Sequence, residues 1–382
     1  MTPRSSQTKH PTTSEKSIFF FAVSIAALAV FFCVLVSVLL IRAAKPSGEP
    51  VISTPQVNGT TDAPAEPSAP SVPIFSPSVS VLPHSTEQTK ELTGELISEF
   101  GVLVDTETGE ILASKGANER IQPASMTKIM TLLVACQRLS EWDLSQNSTL
   151  TQEIHDYVRP TAGGYKGASC HWPDVGDGAT VLDQLYGIGV ESSADCSVMI
   201  ACYIVGKSPA ESEAQFVQWM NEEATAMGLT GTHFDNIIGY ESDQNYSTPS
   251  DIAAILIRAL ESPLIAEILG TSERAFTAYG YSSTGNFVHY DSYYYSTLFN
   301  ANSKRASREK AYEEKYGTFT LTNVTLKGGK TGSLEEGSGW NYSLASFATS
   351  PSGKTYVCIT ANVTVGSAVL KDAKTLYDGI TP

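Results

Sequence analysis

Pro123-Ala124-Ser125-Met126-Thr127-Lys128 runs directly into Ile129-Met130-Thr131-Leu132-Leu133-Val134. A lysine heading an apolar helix is buried with that helix, so the fold has to enclose an ionisable group. Positions i and i+3 share a helical face, which brings the Lys128 amine within reach of the Ser125 hydroxyl. Pro123 marks the helix start, where its missing N–H is no loss. The unpaired N–H groups and partial positive charge of a helix N-terminus favour an alkoxide at Ser125 and help depress the pKa of Lys128. A buried lysine readily becomes a neutral base. This helix is expected to run to about Leu139. The same Ser-x-x-Lys spacing recurs at Ser6/Lys9, in a polar tail, and at Ser307/Lys310, in a charged segment expected to be solvated. Both read as chance matches, and spacing alone does not separate the first occurrence from them.

The chain of 382 residues can hold one large domain or two smaller ones, plus extensions. Its net charge of −15 argues against nucleic acid as a partner. The first 17 residues form a polar tail. Ile18 to Ile41 is an uncharged run of 24 residues, long enough to cross a bilayer, and Arg42 follows directly. It reads as an uncleaved signal-anchor, since a cleavable signal peptide has a shorter apolar region and a small-residue cleavage site. Residues 42–90 are rich in Pro, Ser and Thr and read as an extended linker, leaving 91–382 as the folded domain. The expected location is a single-pass membrane protein with this domain on the extracytoplasmic side. Among the cysteines, Cys33 lies in the apolar span, and Cys136, Cys170, Cys196, Cys202 and Cys358 read as isolated thiols. No Cys or His spacing matches a metal site, so neither a metal nor another cofactor is expected.

Along the folded region, Glu99–Asp105 and Glu110–Ser114 read as strands around a turn at Thr106–Gly109. Residues 140–180 are polar and Gly-rich and read as loop. Val181–Val205 is largely helical but is interrupted by Glu191-Ser192-Ser193-Ala194-Asp195. Small polar residues inside an apolar segment are out of place unless a turn or a site is built there. A helix is expected from Phe216 to Gly228. Thr248-Pro249-Ser250-Asp251 has the pattern of a helix N-cap. Residues 275–325 are Tyr-rich and then charged; Tyr290, Tyr293, Tyr294 and Tyr295 are expected to pack a surface insertion rather than stack on a sugar. Two strands, at 340–347 and 356–363, and a helix from Ala368 to Tyr377 close the chain.

Lys330-Thr331-Gly332 occurs once, followed by Ser333. A cation, a hydroxyl and a glycine on a strand edge can hold a carboxylate while a substrate backbone lies close. The order Ser-x-x-Lys, a Ser-x-Asn-like element at Ser192 and then Lys-Thr-Gly is that of penicillin-recognising acyl-transfer enzymes. Asp105-x-x-Thr108-Gly109, Met220-Asn221 with Leu229-Thr230, Thr232-His233-Phe234-Asp235-Asn236-x-x-Gly239 and Tyr246-Ser247-Thr248-x-x-Asp251 extend the match over about residues 95–380. On these residues the chain resembles the serine-type D-alanyl-D-alanine carboxypeptidases, the low-molecular-mass penicillin-binding proteins. The resemblance implies an α/β (α+β) fold of the serine β-lactamase-like transpeptidase type, an antiparallel sheet flanked by helices plus an all-helical part. It implies that Lys128 deprotonates Ser125, which attacks a peptidoglycan stem peptide ending in D-Ala-D-Ala. Ser192 relays a proton, Lys330 and Thr331 hold the terminal carboxylate beside Gly332, and backbone N–H groups of Ser125 and Ser333 form the oxyanion hole. β-Lactams would be covalent inhibitors.

The chain departs from the family pattern at two places. Ala194 stands where the asparagine of Ser-x-Asn belongs, and the loss of that amide could cost a hydrogen bond of about 1–3 kcal/mol in a buried site. The family's arginine before the last helix has no counterpart beyond a poorly aligned Lys371. Two other readings therefore stand beside the carboxypeptidase: a catalytically weak wall-binding or regulatory homologue, and a β-lactamase-like acyl hydrolase.

Overall fold

The central sheet forms where apolar residues run nearly unbroken, because it is buried on both faces. The first strands are Lys90–Glu91 (β1), Phe100–Asp105 (β2) and Ile111–Lys115 (β3). The computed structural model describes residues 72–76, 78, 81–159, 165, 167–299, 307–336 and 339–380, and these fall in one compact unit, Ser68–Pro382. A 3₁₀ turn, Ala124–Thr127, leads into helix α1, Lys128–Cys136. Glu141–Leu144 (α2), Asn147–Thr149 (β4), Gln152–Val158 (α3) and Gly178–Thr180 (β5) follow. Val181–Tyr186 (α4) passes through a π-helical turn, Gly187–Glu191, to Ala194–Val205 (α5). Helices Pro209–Ala226 (α6), Pro249–Leu260 (α7) and Pro263–Gly270 (α8) precede the hairpin Glu273–Tyr281 (β6) and Phe287–Tyr295 (β7). Arg308–Tyr316 (α9), strands Thr325–Glu336 (β8), Gly339–Thr349 (β9) and Thr355–Val363 (β10), and Ala368–Asp378 (α10) complete the fold.

The six-stranded sheet has the order β1-β3-β2-β10-β9-β8, with every pair antiparallel except β1–β3. Its strands alternate between two apolar layers, as a period of two requires. Val102, Val104, Val357 and Ile359 join the larger core with α1 and α7, while Leu103, Tyr356 and Cys358 join a second layer capped by α10. Helix α1 is buried along its whole length. Strand β8 is an edge strand, so one side of the Lys330-Thr331-Gly332 segment is free of strand pairing.

Several expectations change. The segment 140–180 contains α2, β4, α3 and β5, and with β6 and β7 it builds a second, four-stranded sheet. The tyrosine-rich insertion is this hairpin: Tyr294 is fully buried and stacked on Phe276, with ring centroids 4.5 Å apart, while Tyr293 stays partly exposed. Helix α6 starts at Pro209, seven residues before the expected Phe216. Helix α1 ends at Cys136, short of Leu139, and opens on a 3₁₀ turn in which Pro123 is the cap rather than the first helical residue. Packing onto the domain begins ahead of Glu91: Phe75 is buried in the larger core, and Ile74 N–H donates to Leu139 O at 2.8 Å. Thr248 caps α7 as expected, its hydroxyl accepting from Asp251 N–H at 3.0 Å. The tail and anchor, residues 1–41, and the linker up to residue 71 lie outside the described residues. Among the described residues no helix is long and apolar enough to cross a membrane, and the five cysteines are free.

One loop, residues 234–240, deserves its many polar anchors because it presses on the serine-bearing turn. Asn221 brackets its start, donating to Phe234 O at 2.7 Å and accepting from Phe234 N–H at 2.9 Å. The Asn236 side-chain oxygen accepts from the backbone N–H groups of Ile238, Gly239 and Tyr240 at 3.3, 2.8 and 2.9 Å. Thr131 Oγ1, on α1, donates to Ile237 O at 2.6 Å. Gly239 sits at φ +76°, and a Cβ there would fall 1.7 Å from Ala124 O. Only glycine permits both the left-handed backbone and the approach. Gly239→Ala is therefore expected to cost about 2–4 kcal/mol in denaturant unfolding; a loss below about 0.5 kcal/mol would show that this contact is not structurally required.

Candidate active site

The 3₁₀ turn explains why Ser125 and Lys128 meet. With three residues per turn, i and i+3 eclipse, so the two side chains stand directly above one another. Lys128 Nζ lies 3.1 Å from Ser125 Oγ and donates to Ile238 O at 2.7 Å. The anchored loop thus supplies the acceptor that fixes the amine beside the hydroxyl. Ala124 enters the turn at φ +48°, a left-handed conformation that aims Ser125 into a cleft of about 700 Å³. Lys128 is only 2% exposed, and burial lowers its pKa to about 7. Desolvation, rather than the helix terminus, is the dominant cause. At neutral pH a large fraction of the amine is unprotonated and can accept a proton.

Ser192 occupies the opposite wall of the same cleft. It terminates the π-helical turn at φ +64°, so the interruption in the apolar segment is a device for turning one hydroxyl into the site. Ser193 faces away, donating to Asp195. Asp195 is fully buried and accepts from the N–H groups of His171, Trp172 and Cys196 at 3.1, 3.0 and 2.9 Å, besides pairing with Arg159 at 3.0 Å. These bonds make it a clasp between α5 and the strap 169–172. Ala194 is fully buried, and its N–H donates to Ser169 O at 2.7 Å. The strap thereby places Gly167, Ala168 and Ser169 on the cleft wall beside Ser192. Glu191, also on the wall, is held by His171 at 2.6 Å.

Strand β8 forms the third wall through Thr331 and Ser333. Gly332 lies against the serine-bearing turn; a Cβ there would come within 3.2 Å of Pro123 O. Lys330 does not stand beside Thr331 on the wall, because adjacent strand residues point to opposite faces. It is completely buried, donates to Thr331 O at 3.0 Å, and has its pKa pushed well down by burial and by the nearby charges of Lys128 and Arg308. Thr331 Oγ1 donates to Thr297 Oγ1 at 2.7 Å.

Two cleft residues were not anticipated. Thr297 ties three walls together: besides Thr331, its N–H donates to Val190 O at 3.1 Å and its carbonyl accepts from Arg308 N–H at 3.0 Å. Arg308 comes from the segment read as solvated. Ser307 is instead a buried N-cap, accepting from Lys310 N–H at 3.1 Å, and Arg308 at the first turn of α9 reaches the cleft. Lys371 is not in the site; its ammonium lies over the Tyr316 ring at 5.3 Å.

The chain is similar to known proteins over this same region. The D-alanyl-D-alanine carboxypeptidase family matches residues 85–305. A D-alanyl-D-alanine carboxypeptidase of Streptomyces sp. (strain K15) is 31% identical over 237 residues, covering 60% of this chain and 77% of that protein. DacF of Bacillus subtilis (strain 168), also named a D-alanyl-D-alanine carboxypeptidase, is 34% identical over 187 residues, covering 49% of this chain but only 44% of its own length. The crystal structure of the Streptomyces K15 DD-transpeptidase superposes with a TM-score of 0.59 at 28% identity, covering 75% of this chain and 97% of that one. With the matched segment holding the Ser125–Lys128 pair, the Ser192 turn and the Asn236 loop, this chain belongs to the D-alanyl-D-alanine carboxypeptidase family.

Proposed function

We propose that the protein is a serine-type D-Ala-D-Ala carboxypeptidase that trims the terminal D-alanine from peptidoglycan stem peptides. The observation that carries this reading is the Lys128 amine, neutralised by burial and held 3.1 Å from Ser125 Oγ on the wall of an open cleft. Lys128 takes the hydroxyl proton as Ser125 Oγ attacks the carbonyl carbon of the penultimate D-alanine. The tetrahedral oxyanion forms between the backbone N–H groups of Ser125 and Ser333. Ser192 passes a proton to the departing amine, the C–N bond breaks, and D-alanine leaves. Water then attacks the ester on Ser125 and releases the shortened peptide. Thr331 lines the site for the substrate's terminal carboxylate, with Lys330 buried next to it in β8. A β-lactam, whose strained amide presents the same carbonyl, would acylate Ser125. We place the domain outside the cell, tethered by residues 18–41 and set off from the bilayer by the Pro-rich linker; the uncharged run of 24 residues supports that placement.

Incubation with benzylpenicillin followed by intact-mass measurement is expected to show one stable adduct on the unaltered protein and none on Ser125→Ala. The same substitution is expected to abolish D-alanine release from diacetyl-L-Lys-D-Ala-D-Ala. Release that survives Ser125→Ala would overturn the reading, and a short-lived adduct with drug hydrolysis would favour a β-lactamase-like hydrolase. The pH dependence follows from the amine. Lys128 must be unprotonated to act, so the acylation rate should rise about tenfold per pH unit below about 7 and level off above it. A limb rising through about 10 would mean that Lys128 is charged at neutral pH and is not the base.

A further inference from the structure

Arg308 is a cation in search of an anion. Its Nη2 donates to Ser333 Oγ, and the ring of Tyr342 lies under the guanidinium, 4.4 Å from Cζ. Its Nε is buried without a partner. Among the described residues no carboxylate is paired with it. Glu191 is held by His171, and Glu241 and Glu335 stand exposed at the cleft rim. A half-buried guanidinium on a cleft wall, with one donor buried and unpaired and no counter-charge beside it, is placed to take an anionic ligand. Its placement is also built rather than incidental. The backbone N–H groups of Arg308 and Glu309 donate to Thr297 O and Leu298 O at 3.0 and 2.9 Å, fastening the first turn of α9 to the end of β7. Room for the side chain comes from Gly366, just ahead of α10, where a Cβ would fall 3.0 Å from Arg308 Nη1.

We propose that Arg308 is the group that recognises the α-carboxylate of the substrate's terminal D-alanine, working with Thr331 and Ser333, and that α9 exists to deliver it. The guanidinium thus reaches the cleft from a helix inserted before β8 and fills the space beside Gly366. The chain has no arginine between β10 and α10. A planar fork of donors matches a carboxylate in a way that a lysine ammonium does not. A site holding a half-buried cation without a counter-charge should also disfavour a peptide whose carboxylate has been converted to a neutral amide, because that cation then stays uncompensated. This inference rests on the carboxypeptidase reading for the identity of the substrate, but not for the charge it recognises.

The experiment compares diacetyl-L-Lys-D-Ala-D-Ala with its C-terminal carboxamide on the unaltered protein, Arg308→Gln and Arg308→Lys. The unaltered protein is expected to prefer the carboxylate, in kcat/KM, by about a hundredfold or more. Arg308→Gln should collapse that ratio to within a few fold of one, and Arg308→Lys should restore only part of it. The ratio is internal to each variant, so a general loss of stability does not imitate the result. The same pair of peptides is then titrated against Ser125→Ala with and without Arg308→Gln, which reads binding in the absence of turnover. A carboxylate preference that survives Arg308→Gln in both assays overturns the role of Arg308 while leaving the enzyme reading intact. An Arg308-dependent binding preference in a protein that releases no D-alanine supports Arg308 and overturns the enzyme reading. A protein that neither binds nor cleaves either peptide overturns both.

Discussion

The structure depends on a lysine placed where water cannot solvate its charge. Among the described residues Lys128 has no carboxylate partner; its hydrogen bonds are to Ser125 Oγ and the carbonyl of Ile238. In that environment the cheaper state is the neutral amine, and the neutral amine is the one that can remove a proton. Everything next to it serves to keep the amine dry and fixed. Helix α1 carries it into the core, the 3₁₀ turn eclipses it with Ser125, and the 234–240 loop closes over it. That loop has many redundant anchors because its single carbonyl decides where the amine points. A loop held by Asn221, Asn236 and Thr131 together loses little freedom on meeting substrate, which is the condition for a preorganised site.

The remaining charges divide by whether they are already satisfied. Asp195 accepts from three backbone N–H groups and an arginine, so its work is to hold the strap against α5, and no proton transfer need be assigned to it. Lys330 is fully buried, donates to Thr331 O, and has its charged form disfavoured by burial and by Lys128 and Arg308. Among the described residues Arg308 alone combines a position on the cleft wall, a donor left unpaired and a rigid mount. On the proposed reading, an anionic substrate would be drawn toward the β8 wall, with its carboxylate on one side of Ser125 and the stem on the other.

The parts of the site that sequence reveals are those in which chemistry and spacing are local. Ser125 and Lys128 are three apart on one turn, Lys330-Thr331-Gly332 is one strand segment, and Ser192 interrupts an apolar run. The role of Asn236 and Gly239 is less visible. Their motif points to this family, yet only the backbone geometry shows that they aim Lys128. Thr297 and Arg308 left no local trace. Arg308 sits among Ser307, Glu309 and Lys310, a composition that reads as solvent-facing, and its place on the cleft wall comes from backbone bonds to Thr297 and Leu298, just past the hairpin, which the sequence does not place nearby. The hairpin itself escaped because residues 273–295 are half-exposed and mix tyrosines with polar residues on both faces, without the clean alternation of a one-sided sheet.

Ala194 shows why a missing motif residue need not mean a missing function. An asparagine amide in a buried site has to be matched by partners of its own, and an unmatched one costs more than none at all. Here the backbone N–H of Ala194 is used to hold Ser169 O, and the strap it secures occupies the cleft wall with Gly167, Ala168 and Ser169. The side chain at 194 is fully buried, so an amide at this position would need both room and partners in the core. Before α10, Gly366 leaves the room in which a guanidinium from another helix stands. The chemistry of the cleft is then set by which atoms surround Ser125, not by which element of the chain delivers them.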